Sequence, residues 1–145
     1  MLSPLVRRFT SSDLNDRAGW IVQRLAVKYG KSEHFIANYL RSLANRNDCL
    51  FLRTDYAVIL VEMVCIDPMA DEWVAQERFM LCEDRQAFHQ LEGAAKMYEN
   101  VRSWAKSAGI KKVVLDRGSD IPREQVRDYF WSKKIFPEEM LTVRV

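Results

Sequence analysis

Apolar residues change their spacing along this chain, and the changes divide it into elements. Over the first third they recur every three or four positions. Ile21, Leu25, Ala26 and Tyr29 share one helical face, and Ile36, Tyr39, Leu40 and Leu43 share another. A short strand, "LVRRF", stands ahead of both, and "TSSD" supplies helix-capping side chains. Gly30 ends the first helix and Ser32 caps the second. The pattern then shifts to aliphatic and β-branched runs, "CLFLR" and "YAVILVEMVCI", divided by a turn-prone Thr-Asp. "DPMADE" is a turn, and "WVAQERFML" follows as a strand with Ala75, Glu77, Phe79 and Leu81 on one face. Connections this short leave no room for a crossover helix, so the three strands form an antiparallel meander.

Helical spacing returns in "QLEGAAKMYENVRSWAKSAG". Leu91, Ala94, Tyr98, Val101, Ala105 and Ala108 form one stripe, and Gly109 stops it. "KKVVLD" is the next strand, so the chain passes from the meander through this helix to a parallel neighbour. "IPREQVRDYFWSKK", with Pro122 in its first turn, predicts another helix, and "EEMLTVRV" a last strand. The sum is an α/β (α+β) mixed sheet, with helices on both faces, in a single domain spanning residues 1–145.

Composition narrows the class. The apolar share is that of a globular chain, and no apolar run is long enough to span a membrane. The start, "MLSPLVRRFT", lacks the apolar core of an export signal, so a cytoplasmic setting is expected. Cys49, Cys65 and Cys82 lie in apolar surroundings without metal-like spacing and read as reduced core thiols. His34 and His89 read as surface or capping residues, so no metal is expected. The net charge of +2 does not announce a nucleic-acid binder. Its distribution is uneven: Asp67, Asp71, Glu72, Glu77, Glu83 and Asp84 face Arg78 alone, whereas Arg102 to Lys134 holds nine bases against four acids. An acidic wall for a cationic acceptor and a basic wall for an anionic co-substrate would read this way, as would a solvated surface.

Gly93 is one of five glycines and stands near the start of a predicted helix, where it costs about 0.5–1 kcal/mol against alanine. A helix that follows a strand offers unpaired amides and a positive dipole end, a site for an anion. Gly93, Ala94 and Ala95 keep that backbone bare, and Gln90 adds a polar edge. A pyrophosphate fits such a site, although neither the dinucleotide fingerprint nor a Gly-Lys-Ser/Thr loop is present.

Gln90, Gly93 and Ala95 match the signature of the GNAT superfamily of acyl-CoA-dependent N-acetyltransferases: Gln or Arg, two free positions, Gly, one free position, Gly or Ala. The chain resembles that family in element order over nearly its whole length, and "FWSKKIF" resembles the family's aromatic and lysine-bearing segment near the last helix end. The resemblance implies a sheet whose fourth and fifth strands splay, with acetyl-CoA or coenzyme A in the gap. The pantetheine arm would bond to the strand edge at Met80, Leu81 and Cys82, and the pyrophosphate to the amides of Leu91, Glu92, Gly93, Ala94 and Ala95, with Lys96 near a remaining phosphate. An amine would attack the thioester directly, without an acyl-enzyme. Glu62 or Glu77 would take its proton, burial raising either carboxyl toward the working range.

The departures from the family pattern concern the same chemistry. Trp131 stands where the family's tyrosine aligns, and an indole is no general acid, which leaves Tyr129 as the candidate donor. Glu92 occupies a position where many relatives are basic. "EDRQAFH" is longer than usual and lacks the common proline, and the family's Leu-Gly pair becomes Lys134-Ile135. Three functions stand open: an N-acetyltransferase acting on a protein or small-molecule amine, a catalytically inactive GNAT-fold binding protein, and a relative that modifies nucleic-acid bases. A homodimer is compatible with each.

Overall fold

The computed structural model describes residues 6–15, 19–54, 56–83, 87–115, 120, 124, 128 and 142–144; for 87–95 and 142–144 it describes the backbone course alone. Six strands form one sheet in chain order: β1 (Arg7–Arg8), β2 (Cys49–Arg53), β3 (Ala57–Asp67), β4 (Glu72–Cys82), β5 (Lys112–Val114) and β6 (Thr142–Arg144). Neighbours are antiparallel except β4 and β5, which are parallel and joined through a helix. The predicted meander and crossover are both present. The α-helices fully bounded among the described residues are α1 (Gly19–Tyr29), α2 (Glu33–Ala44) and α3 (Ala87–Ser107). Of the helix predicted within 121–134, Glu124 and Asp128 are described and are helical.

The sheet separates two apolar cores. On one face, Ile59, Val61, Ala75, Met80 and Cys82 pack against Met97, Tyr98, Val101 and Ala105 of α3. On the other, Phe51, Leu60, Phe79 and Leu81 pack against Ile21 and Leu25 of α1 and Ile36, Leu40 and Leu43 of α2. Three phenylalanines anchor this second core: Phe9 stacks on Phe51 at 4.1 Å between centroids, and Phe79 meets Phe51 edge-on at 5.8 Å.

Local chemistry fixes the helix ends. Ser32 Oγ accepts from the Phe35 amide at 3.1 Å, capping α2 as expected. Gly109, at φ 75, ends α3, with Ile110 N donating to Ala105 O and Gly109 N to Lys106 O. "TSSD" does something else. Ser11–Asn15 form a 3-10 turn, in which Asp13 reaches back to the Thr10 amide at 2.7 Å, and α1 starts later, at Gly19. Asp13 also accepts from Arg53 at 2.8 Å, a pair buried on both sides.

One sequence expectation fails in β4. Ala75, Glu77, Phe79 and Leu81 do not share a face, because the ladder with β3 is bulged. Leu60 opposes Phe79 while the next residue, Val61, opposes Glu77, leaving Arg78 as the extra residue. Alternation is reset there, so Ala75 and Glu77 face α3 while Phe79 and Leu81 face α1 and α2.

Candidate functional site

β4 carries the site, and the bulge organises it. Its parallel pairing with β5 consists of Ala75 with Val113 and Gln76 with Val114. The described pairing ends at Gln76, where the bulge begins. The residues of β4 just past it define two different flanks.

The first flank faces α1 and α2. A cavity of about 380 Å³ lies there, walled by Leu25, Ile36, Leu60 and Phe79. Tyr29, Phe35 and Tyr39 line it from the helices, each partly exposed. Its charged members are Glu62, Arg78 and Lys31. Arg78 Nε and Nη2 both donate to Glu62 Oε2 at 3.3 Å, and Arg46 Nη1 lies 3.7 Å from Oε1. The Glu62 side chain keeps only 13% of its exposure. Burial, then the nearby Glu62 charge, pushes the Tyr39 phenol above its ordinary value.

The two carboxylates proposed as bases are not brought together. Glu62 pairs with Gln76 across the ladder and faces the cavity; Glu77 pairs with Val61, faces α3, and is 1% exposed. Glu62 does not lie among apolar residues as expected, but sits between guanidiniums.

The second flank is the edge of β4 that β5 has left. The sequence reading treats Met80, Leu81 and Cys82 as a bare edge, but the backbone groups there are engaged. Asp120 N donates to Met80 O at 2.9 Å, and Cys82 N donates to Asp120 Oδ2 at 2.8 Å. Arg24 of α1 donates to Cys82 O and to Asp120 Oδ1, the latter at 2.8 Å. One residue thus returns to β4 the donor and acceptor that β5 withdrew, as buried backbone groups require. The Met80, Leu81 and Cys82 side chains themselves are buried. Burial, with the Asp120 charge second, pushes the Cys82 thiol up to about 12, so it is a neutral core thiol.

The helix after β4 also begins elsewhere than expected. α3 starts at Ala87, so Gln90 closes its first turn and Leu91 to Ala95 continue into the second. In such a helix the N–H groups without intrahelical partners end at the third helical residue, here those of Ala87 to His89. The side chains of Gln90 to Ala95, and Tyr129 and Trp131 altogether, lie outside the described residues. His34 is an exposed partner of Asn38 on α2. Among the described residues no cluster of three or more His, Cys, Asp or Glu could hold a metal ion, and no helix is long and apolar enough to cross a membrane.

Sequence reasoning missed four contributors. Arg78 reads as a lone base in an acidic stretch, and only the bulge turns it toward Glu62. Asp120 and Arg24 are far apart in sequence, and no local pattern joins them. Tyr39 fits a helical stripe, which hides its position at the cavity.

This architecture is that of GNAT acetyltransferases. A GNAT-family acetyltransferase from Streptococcus pneumoniae is similar to it with a TM-score of 0.59 and 10% identity, covering 97% of this chain and 95% of that one. An aminoglycoside acetyltransferase from an uncultured soil metagenomic sample, solved with trehalose, is similar with a TM-score of 0.55 and 15% identity, covering 94% and 91%. Neither a protein-family model nor a curated protein matches the sequence. The likeness therefore lies in the fold.

Proposed function

We propose that the protein is a single-domain acyl-CoA-dependent N-acyltransferase, passing an acetyl group from acetyl-CoA to an amine. The observation that carries this reading is the cavity beside β4 whose polar end holds Glu62, in a sheet whose described β4–β5 pairing ends at Gln76. In the reaction the neutral amine attacks the thioester carbon, the C–S bond breaks, and coenzyme A leaves as a thiolate. The amine's proton passes to Glu62, directly or through water, and the thiolate takes up a proton. We assign the base to Glu62 over Glu77, because Glu62 faces the open cavity and Glu77 the α3 core. Tyr129 remains the candidate donor to the thiolate. Backbone amides where the strands part would stabilise the developing oxyanion. The test is calorimetric titration with acetyl-CoA together with an assay of thiol release over a panel of amines. Heat on binding and thiol release with at least one amine is expected; no heat at high protein concentration would sink the proposal.

A second reading draws on the closed edge. Asp120 and Arg24 occupy the backbone groups that a pantetheine arm would use, which favours a GNAT-shaped protein that binds a partner without catalysis. Binding of acetyl-CoA without thiol release from any amine would select it.

A further inference from the structure

The cavity beside β4 has a composition that specifies more than an amine. At one point it holds a carboxylate and a guanidinium side by side, Glu62 and Arg78, with Lys31 also at its lining. Among the described residues, the rest of its lining is apolar or aromatic. Its 380 Å³ stands near the low end of the roughly 300–1,000 Å³ typical of small-molecule pockets. A polycationic sugar, such as an aminoglycoside, suits it badly: among the described lining residues Glu62 is the one acid against Arg78 and Lys31, and the walls offer rings where a sugar needs polar partners. A ligand that satisfies both signs at adjacent points, and fills an apolar volume beyond them, is a zwitterion with a large apolar substituent.

The Glu62–Arg78 contact is also loose enough to admit one. Both of its bonds are 3.3 Å, against about 2.7–2.9 Å for tight charge-assisted bonds. Glu62 Oε1 is 3.7 Å from Arg46, beyond hydrogen-bond range, and Arg78 Nη1 takes no part in the fork. An ammonium can therefore be accepted by Oε1 and a carboxylate by Nη1 while the pair stays together. We infer that this cavity binds a free α-amino acid with a large apolar side chain, its ammonium on Glu62, its carboxylate on Arg78 with help from Lys31, and its side chain among Phe35, Tyr39 and Phe79. The inference rests on the acyl-transfer reading only in making that α-amine the acceptor; binding stands apart from it.

The experiment is calorimetry on the full chain with phenylalanine, phenylalaninamide, phenethylamine and 3-phenylpropionate, each with and without saturating coenzyme A. Phenylalanine binds, and each analogue lacking one charge binds about tenfold or more weakly. Arg78→Leu removes the preference for phenylalanine over phenethylamine, and Phe35→Ala, at a half-exposed ring, weakens all four ligands alike. Circular dichroism confirms that both variants fold, and Lys31→Ala at an exposed position provides a further charge deletion should Arg78→Leu not fold. Equal affinity for phenylalaninamide would overturn the inference in favour of a peptide terminus or simple amine, and absence of heat from phenylalanine in both conditions would overturn it outright. Phenylalanine binding without thiol release from any amine leaves this inference standing and fells acyl transfer; thiol release with other amines and no heat from phenylalanine does the reverse.

Discussion

The two flanks of β4 differ in readiness. Toward α1 and α2, just past the bulge, the strand borders an open cavity with an apolar wall and a charged end. Toward β5, four residues further along, its backbone is already bonded to Asp120 and Arg24. The acceptor side of a transferase would be preformed, and the donor side would need the chain to let go first. A ligand that needs a minor conformation binds with its affinity reduced by that state's population. The difference teaches that fold likeness locates a groove without saying whether it is open. A bulge opens one flank and a single aspartate closes the other.

The comparison breaks most severely if the open flank loses its support. Phe51 lies between Phe9 and Phe79, and Phe79 is also a wall of the cavity. Phe51→Ala removes the middle ring of a fully buried stack and should cost about 3–5 kcal/mol, read as the fall in unfolding free energy in urea. Amino-acid affinity should fall with it at temperatures where the variant remains folded. A loss under about 1 kcal/mol would show that the stack does not hold this flank.

The closed flank gives the next effect, in the opposite direction. Asp120→Ala deletes the acceptor for Cys82 N and the ion-pair partner of Arg24. If the edge serves a pantetheine arm, affinity for coenzyme A rises by up to about tenfold, since the freed Cys82 amide then finds its partner in the ligand. The cavity should be indifferent to the change. Coenzyme A affinity that stays put would mean that the ligand does not use the edge at Met80 to Cys82.

A smaller and conditional effect concerns the turn that buttresses the open flank. Burial works to raise the Asp13 carboxyl, but the Thr10 amide, Arg53 and Arg7 outweigh it and hold the group below its ordinary value of 3.8. A depressed folded-state pKa means that the fold favours the carboxylate. Its contribution is present above pH 3.8 and is lost as pH falls through the lower folded value. The stability gap between the natural chain and Asp13→Asn should therefore be full at neutral pH and close in acid below about pH 4. A gap that widened on acidification would reverse the assigned sign.

How much of this was legible follows from what each feature depends on. Strands β2, β3 and β4, helix α2 with its Ser32 cap, and the Gly109 stop all rest on local periodicity and single-residue chemistry, and the sequence shows them within a residue or two. The bulge does not appear there, because alternation in "WVAQERFML" reads equally well unbroken; the register against β3 decides it. Met97 enters the α3 core beside Tyr98 although the expected stripe passes it by, because the partner face is wider than one row. Asp120 closing β4 depends on a contact 38 residues away, and Arg24 on one of 96. For the site, the sequence places the candidate base Glu62 on its strand but not the cations around it, since a salt bridge across a ladder has no signature in one strand alone.

The finest distinction between the flanks can be drawn at Ser32. Its hydroxyl bonds the amide of Phe35, so one cap both starts α2 and sets the residue that borders the cavity. Lys31, the residue before it, places its ammonium 5.5 Å from the Phe35 ring, so cation and ring are held by the same turn. Ser32→Ala leaves one orphan donor at an exposed helix start, a cost of about 1 kcal/mol in urea unfolding. The greater interest lies in binding. With the cap gone, the first turn of α2 frays, and ordering it again must be drawn from the ligand's own binding energy, so phenylalanine affinity should drop a few-fold. Coenzyme A affinity should not change, because the edge of β4 and its Arg24–Asp120 closure involve α1 and the far side of the sheet ladder, not α2. Equal weakening of both ligands would mean that the two flanks are coupled through the helices, and the independence of open and closed sides would have to be given up.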